Sequence, residues 1–445
     1  MGIFKDSKIY FRLEKDENKN EEQECLQENN EEGKMKKAGG LTVFTATFFL
    51  VGDVAGCGLL SFPWALSRIG YVGILLIFLF GVGAIYSATL LGRCWMMISE
   101  RFAEYHDQPV RHPYPLIGQL AFGKTFRKLV SFCVIFTSCG SSVAYLLLIS
   151  ENLMALLPSA NISYGCWLVI VAAVLCPVCW LGTPKDFWPV ALFASLTTSI
   201  ACVFIIIQIA RDAPIVPPAF HAPLEFKTFL MAFGILCFGF GGHQVFPTIQ
   251  VDMKKPEKFG TVAAFGFCTV LCMYVPVAIA GFLVYGSSLE ENVLMSLLPG
   301  PVQLTAVVLL NLHLLGGFVI LLSPVSLEME DFFNVPNCFC FRRVLMRTIL
   351  VCILLFVALS LPQFGAILAL IGGSTMTCIV FIIPATCYLK LSSMKGDWET
   401  IEIPLHEKVL CIEIIVVGTL AGIAATYSAL DALTYSHFSK PLYLS

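Results

Sequence analysis

Eleven stretches of about 20 mostly apolar residues run through this chain. They lie near 42–66, 71–97, 129–156, 164–182, 188–210, 228–250, 260–285, 302–322, 344–361, 364–389 and 409–429. In hydrocarbon every backbone N–H and C=O must find its partner within the chain. Stretches this long satisfy that demand only as helices. The sequence therefore predicts an all-α polytopic membrane protein with eleven transmembrane helices. Composition agrees: 57% of residues are hydrophobic and only 13% charged, where soluble chains carry about 25% charged residues. With a net charge of -3 and no basic stripe, a nucleic-acid partner is excluded and the lipid bilayer is the expected surrounding.

Residues 1–38 mix ten acids with eight bases and lack an apolar core. They read as a disordered cytosolic arm rather than a signal peptide. Gly2 follows Met1, but Asp6 occupies the position where a myristoylation signal wants a hydroxyl. Tyr10-Phe11-Arg12-Leu13 fits a short endocytic sorting pattern, a hint of endosomal or lysosomal traffic. With the N-terminus cytosolic, 24 of the 28 Lys and Arg fall on the cytosolic side, as membrane proteins require. Arg68, Arg211, Lys227 and Lys440 are left outside. An odd span count then puts residues 431–445 outside as a short tail, with 39–430 as the eleven-span domain. Asn161-Ile162-Ser163 falls on the outer side as a glycosylation candidate. Most of the eighteen cysteines, such as Cys202, Cys237, Cys268 and Cys272, sit in apolar runs and read as small packing residues. Cys338 and Cys340 in a short loop read as unpaired or lipidated.

Two spans differ from the rest. The first contains Gly52, Asp53, Gly56, Cys57, Gly58 and Pro63. The sixth contains Gly239, Gly241, Gly242, His243 and Pro247. Glycine costs a helix about 1 kcal/mol per residue and proline about 3, so both runs predict an unwound stretch. Span one opens the first five helices and span six the next five. Matched interruptions of this kind point to a midplane site between inverted repeats. Free N–H groups at a half-helix start suit an anionic group such as an amino-acid carboxylate.

At these residues the chain resembles the amino acid/auxin permease family. Gly56-Cys57-Gly58-Leu59-Leu60-Ser61-Phe62-Pro63-Trp64-Ala65-Leu66 looks like its first-span signature. Gly242-His243-Gln244-Val245-Phe246-Pro247-Thr248-Ile249-Gln250, followed by Lys255-Pro256-Glu257-Lys258-Phe259, looks like its sixth-span signature. Tyr114 to Gly123 and Phe364 to Thr375 match two further elements. The resemblance implies eleven spans, a five-plus-five inverted repeat with broken helices 1 and 6, one extra C-terminal helix, and amino-acid transport driven by H⁺ or Na⁺. Asp53 departs from members with a small residue or Asn there, which leaves the ion open.

The expected substrate contacts are Gly52, Gly56, Cys57, Gly58, Gly241, Gly242 and His243 in the two breaks. Tyr145 joins them by analogy: it follows Ser138, Ser141 and Ser142 on the third span, which faces the site in five-plus-five transporters. Asp53, an acid in mid-bilayer, is the candidate proton or cation site. Ser323 is a second ion-ligand candidate, because Na⁺-coupled relatives use a hydroxyl on the eighth span, which also holds Asn311 and His313. Glu151 and Glu413, near span ends, read as snorkelling side chains.

No GxSxG, HExxH or metal-ligand cluster occurs, so neither catalysis, a metal site nor a cofactor is expected. Besides Asp53 and the histidines, no charged side chain is available to pair with a charged substrate side chain, which favours neutral amino acids. The reading is a secondary active amino-acid transporter of the plasma membrane or an endosomal, lysosomal or vesicular membrane. A membrane sensor that binds amino acids without transporting them is the alternative.

Overall fold

The computed structural model describes residues 40–106, 110–180, 188–335, 339–398, 401–435 and 442. The expected arm at 1–38, Lys440, Cys338 and most of the 431–445 tail lie outside them. The described residues form helices joined by short loops. Two form the first pair, α1 (Val43–Val54) and α2 (Cys57–Ile69). Next come α3 (Val72–Arg101), α4 (Pro113–Phe122), α5 (Lys124–Leu156), α6 (Tyr164–Trp180) and α7 (Trp188–Asp212). The second broken element is α8 (Phe226–Gly239) and α9 (Phe246–Val251). Then follow α10 (Phe259–Tyr285), α11 (Pro301–Phe332), α12 (Phe341–Ser360), α13 (Phe364–Ser392) and α14 (Leu405–Tyr435).

Eight of these helices are long and apolar enough to cross a membrane, or nine if α1 and α2 form one bent span. The shorter α6 and α8 are also apolar. The chain is thus a multi-pass integral membrane protein. Helices that bury every face stand at the centre; those with an apolar outer face line the lipid. α5 and α13 are central, while α14 turns Val416, Val417, Leu420 and Ile423 outward.

The glycines of α2 and α8 let the two helices approach backbone to backbone. A Cβ on Gly58 would come 2.5 Å from the Gly239 Cα. Residues 372–376 and 378–382 of α13 are wound as π-helix, a rare form within α-helices. Thr377 Oγ1 donates to the Gly372 carbonyl at 2.6 Å, and Tyr114 Oη from α4 donates to that of Ile379 at 2.5 Å. Ser87 of α3 donates to Val380.

The loop between α10 and α11 is pinned across one end of the bundle. Asn292 Nδ2 donates to Glu151 at 2.9 Å and to Asn152 at 3.0 Å, and Asn152 donates to Asn311 at 3.0 Å. Glu151 therefore holds a loop instead of reaching for the headgroups. Glu291 accepts the Gly365 N–H at 2.7 Å. Burial raises the Glu291 carboxyl above its ordinary range, and the Gly365 bond offsets part of that rise.

Candidate functional site

The site begins where α1 stops. Gly52, Gly56 and Gly58 weaken the helix, and the chain bends by 54° between α1 and α2. Helix ends strand carbonyls and N–H groups that need partners. Tyr274 Oη on α10 donates to the Val54 carbonyl at 2.9 Å, and the Gly56 N–H turns back on the same oxygen at 2.9 Å. α2 begins at Cys57, directly after the break, with Gly56 as its cap residue and no side chain capping it. The second break, Phe240–Val245, lies between α8 and α9. There Gly242 has φ +140°, which side-chain-bearing residues rarely adopt.

The two breaks meet at Asp53. A Cβ on Gly242 would lie 2.9 Å from Asp53 Oδ2, so glycine brings bare backbone against the carboxylate. Asp53 is 9% exposed, and neither of its oxygens has a hydrogen-bond partner among the described residues. An isolated charge or polar group is costly to bury. An open carboxylate in this position is suited to receive a cation, a proton or an ammonium group.

Gly56 opens the other side. A Cβ there would overlap the Tyr145 hydroxyl and approach His313 Nε2 to 3.3 Å. A Cβ on Gly317 of α11 would come 2.9 Å from Tyr145 Cε2. Tyr145 is thus admitted between two glycines, one on the break and one on α11. Tyr145 and His313 ring centroids lie 6.4 Å apart.

The remaining expected contacts occupy different surroundings. Gly52 backs onto the Ala191 carbonyl and Ser195 of α7. Gly58 backs onto α8, and Gly241 lies against the Met376 thioether of α13. Each of these three serves a close approach between helices. Cys57 is buried as the first residue of α2. His243 is buried with its ring against Phe246 (4.6 Å between centroids) and Phe267 (6.0 Å), and neither nitrogen has a hydrogen bond of normal geometry among the described residues. Ser323 is half-buried ten residues beyond His313 on α11. His313 was the residue that sequence reasoning left out of the site. Its setting in an unbroken helix carries no local mark, and only the crossing of α5, α7 and α11 brings it to Gly56.

A pair of broken helices meeting around a buried open carboxylate, walled by a tyrosine and a histidine from unbroken helices, defines a membrane transporter of the broken-helix class. The family model for transmembrane amino acid transporter proteins matches residues 39–428, and the chain belongs to that family. Among curated proteins, the amino acid transporter AVT1E of Arabidopsis thaliana is 30% identical over 402 residues, spanning 86% of this chain and 72% of the relative. AVT1J of the same plant is 26% identical, spanning 88% and 91%. The fold is shared with a structure of MhsT in complex with L-phenylalanine (TM-score 0.56, 14% identity, 86% of this chain and 98% of the other). It is likewise shared with the nucleobase-cation symporter Mhp1 (TM-score 0.58, 15% identity, 91% and 95%). The relatives are transporters, not enzymes.

Proposed function

We propose that this chain is a secondary active transporter of neutral amino acids, coupled to H⁺ or Na⁺, that works by alternating access around the α1–α2 break. The observation that carries this reading is Asp53: a buried carboxylate without a partner among the described residues, set against the backbone of the second break. In this reading Asp53 takes the coupling ion, while Gly56, Cys57, Tyr145 and Gly242 surround the amino acid. The first N–H groups of α2 suit its carboxylate. Gly52, Gly58 and Gly241 act by letting the helices meet, and His243 and Ser323 sit further along the same elements as supporting residues.

The proposed topology has eleven spans in a five-plus-five inverted repeat, with α14 as the extra helix and the N-terminus in the cytosol. The Lys and Arg distribution supports that orientation. The test is uptake of a panel of labelled amino acids into proteoliposomes, with inward H⁺, inward Na⁺ or no gradient. Uptake of neutral amino acids driven by one ion is the expected result. Binding without uptake under any gradient would replace the transporter with a sensor.

A further inference from the structure

His313 lies within α11 and is fully buried. Its Nδ1 is 3.2 Å from the carbonyl oxygen of Ala194 on α7. A carbonyl oxygen only accepts, so the proton of the neutral ring sits on Nδ1. Nε2 is then left with a lone pair and can only accept. No group in the described residues satisfies that lone pair. Its direction is given by Gly56: a Cβ on that glycine would stand 3.3 Å from Nε2. A fixed acceptor therefore points from an unbroken helix at the break.

A purely structural link to Ala194 would need only a donor at the Nδ1 position. A space-filling role would need no nitrogen at all. What the geometry adds is a buried acceptor left without a partner among the described residues, set beside the Gly56 backbone three residues along the chain from Asp53. The titratable group set against its ring is Tyr145 of α5, while Asp53 and Cys57 flank Gly56 along the chain. An acceptor left unpaired beside the break repels a carboxylate and attracts N–H donors. An amino acid carries three such donors on its ammonium, and its carboxylate is then turned toward the first turn of α2.

We propose that Nε2 of His313 accepts a hydrogen bond from the ammonium group of the transported amino acid, and so fixes which end of the substrate faces α11. The proposal rests on the reading of the break as the substrate site. His313 separates two jobs by atom, and two amides separate them by experiment. His313→Asn keeps a donor for Ala194 but places nothing at Nε2. His313→Gln reaches the Nε2 position with an acceptor and cannot titrate.

The experiment measures concentration dependence and pH dependence of amino-acid uptake by the full chain in proteoliposomes, for wild type, both His313 variants and Gly56→Leu. His313→Asn is expected to raise KM by about ten- to a hundredfold, the effect of losing a hydrogen bond to a charged group. His313→Gln is expected to stay within about threefold of wild type, with an unchanged pH profile. An unchanged KM in His313→Asn would overturn the proposal and leave the ring as a tie to α7. Equal impairment of both variants with a flattened pH profile would also overturn it, assigning Nε2 to a proton instead. Normal uptake by Gly56→Leu would instead remove the substrate site from the break and take the proposal with it.

Discussion

Two buried carboxylates show opposite treatment of charge in this molecule. Glu330, near the far end of α11, is 1% exposed, and both its oxygens are engaged. Arg347 of α12 grips Oε1 through Nε at 2.9 Å and Nη2 at 2.7 Å, while its Nη1 donates to the Cys179 carbonyl of α6 at 2.7 Å. Arg111, just before α4, reaches Oε2 at 2.8 Å and also pairs with Asp331. His112 Nε2 lies 2.6 Å from Asp331, and Ser131 of α5 donates to Glu328 at 3.0 Å. Asp53 has none of this. Both carboxylates are costly to desolvate. One cost is offset inside the fold; the other is left for a ligand to offset. The cluster around Glu330 ties five segments together, whereas Asp53 is left without a partner among the described residues.

The contrast can be broken from either side. Glu330→Ala strips the counter-charge from buried arginines and is expected to cost about 3–5 kcal/mol. A thermal melt of the purified protein checks this; an unchanged melting temperature would mean that the cluster holds nothing together. Asp53→Asn removes a charge that the fold does not pair, so its melting temperature should stay level or rise. Its effect belongs in transport, as a lost or altered response to an imposed H⁺ or Na⁺ gradient. Lower stability with unaltered gradient response would move Asp53 into the structural group. A smaller effect sharpens the comparison within α13. Tyr114→Phe leaves the Ile379 carbonyl without its donor and should cost about 1 kcal/mol, visible as a modest drop in the melt with uptake retained.

The apolar windows located the helices because hydrocarbon length is written directly in sequence. The window at 364–389 corresponds to Phe364–Ser392, and the glycine run from Gly52 to Gly58 contains the bend. What lay beyond reach was the rotation of side chains about those helices. His243 stands among glycines and draws attention, yet its ring turns to Phe246 and Phe267. His313 sits in an ordinary helical run, yet its free nitrogen faces the break. The glycines divide in the same way. Gly56 and Gly58 are two residues apart, but one opens toward Tyr145 and the other receives Gly239. The partners that decide this come from α5 and α8, far off in sequence. The Glu330 cluster was hidden for the same reason, since Arg347 counts in the sequence only among the 24 cytosolic Lys and Arg.

The central claim is that the α1–α2 break holds the amino acid. Equilibrium binding of a transported amino acid to purified wild type, Gly56→Leu and Glu330→Gln, measured by calorimetry, tests it most directly. The account predicts that Gly56→Leu loses binding, because even its Cβ would overlap the Tyr145 hydroxyl and displace it from the break, whereas Glu330→Gln, which disturbs the fold at a distance from the break, still binds. Wild-type affinity in Gly56→Leu would contradict it.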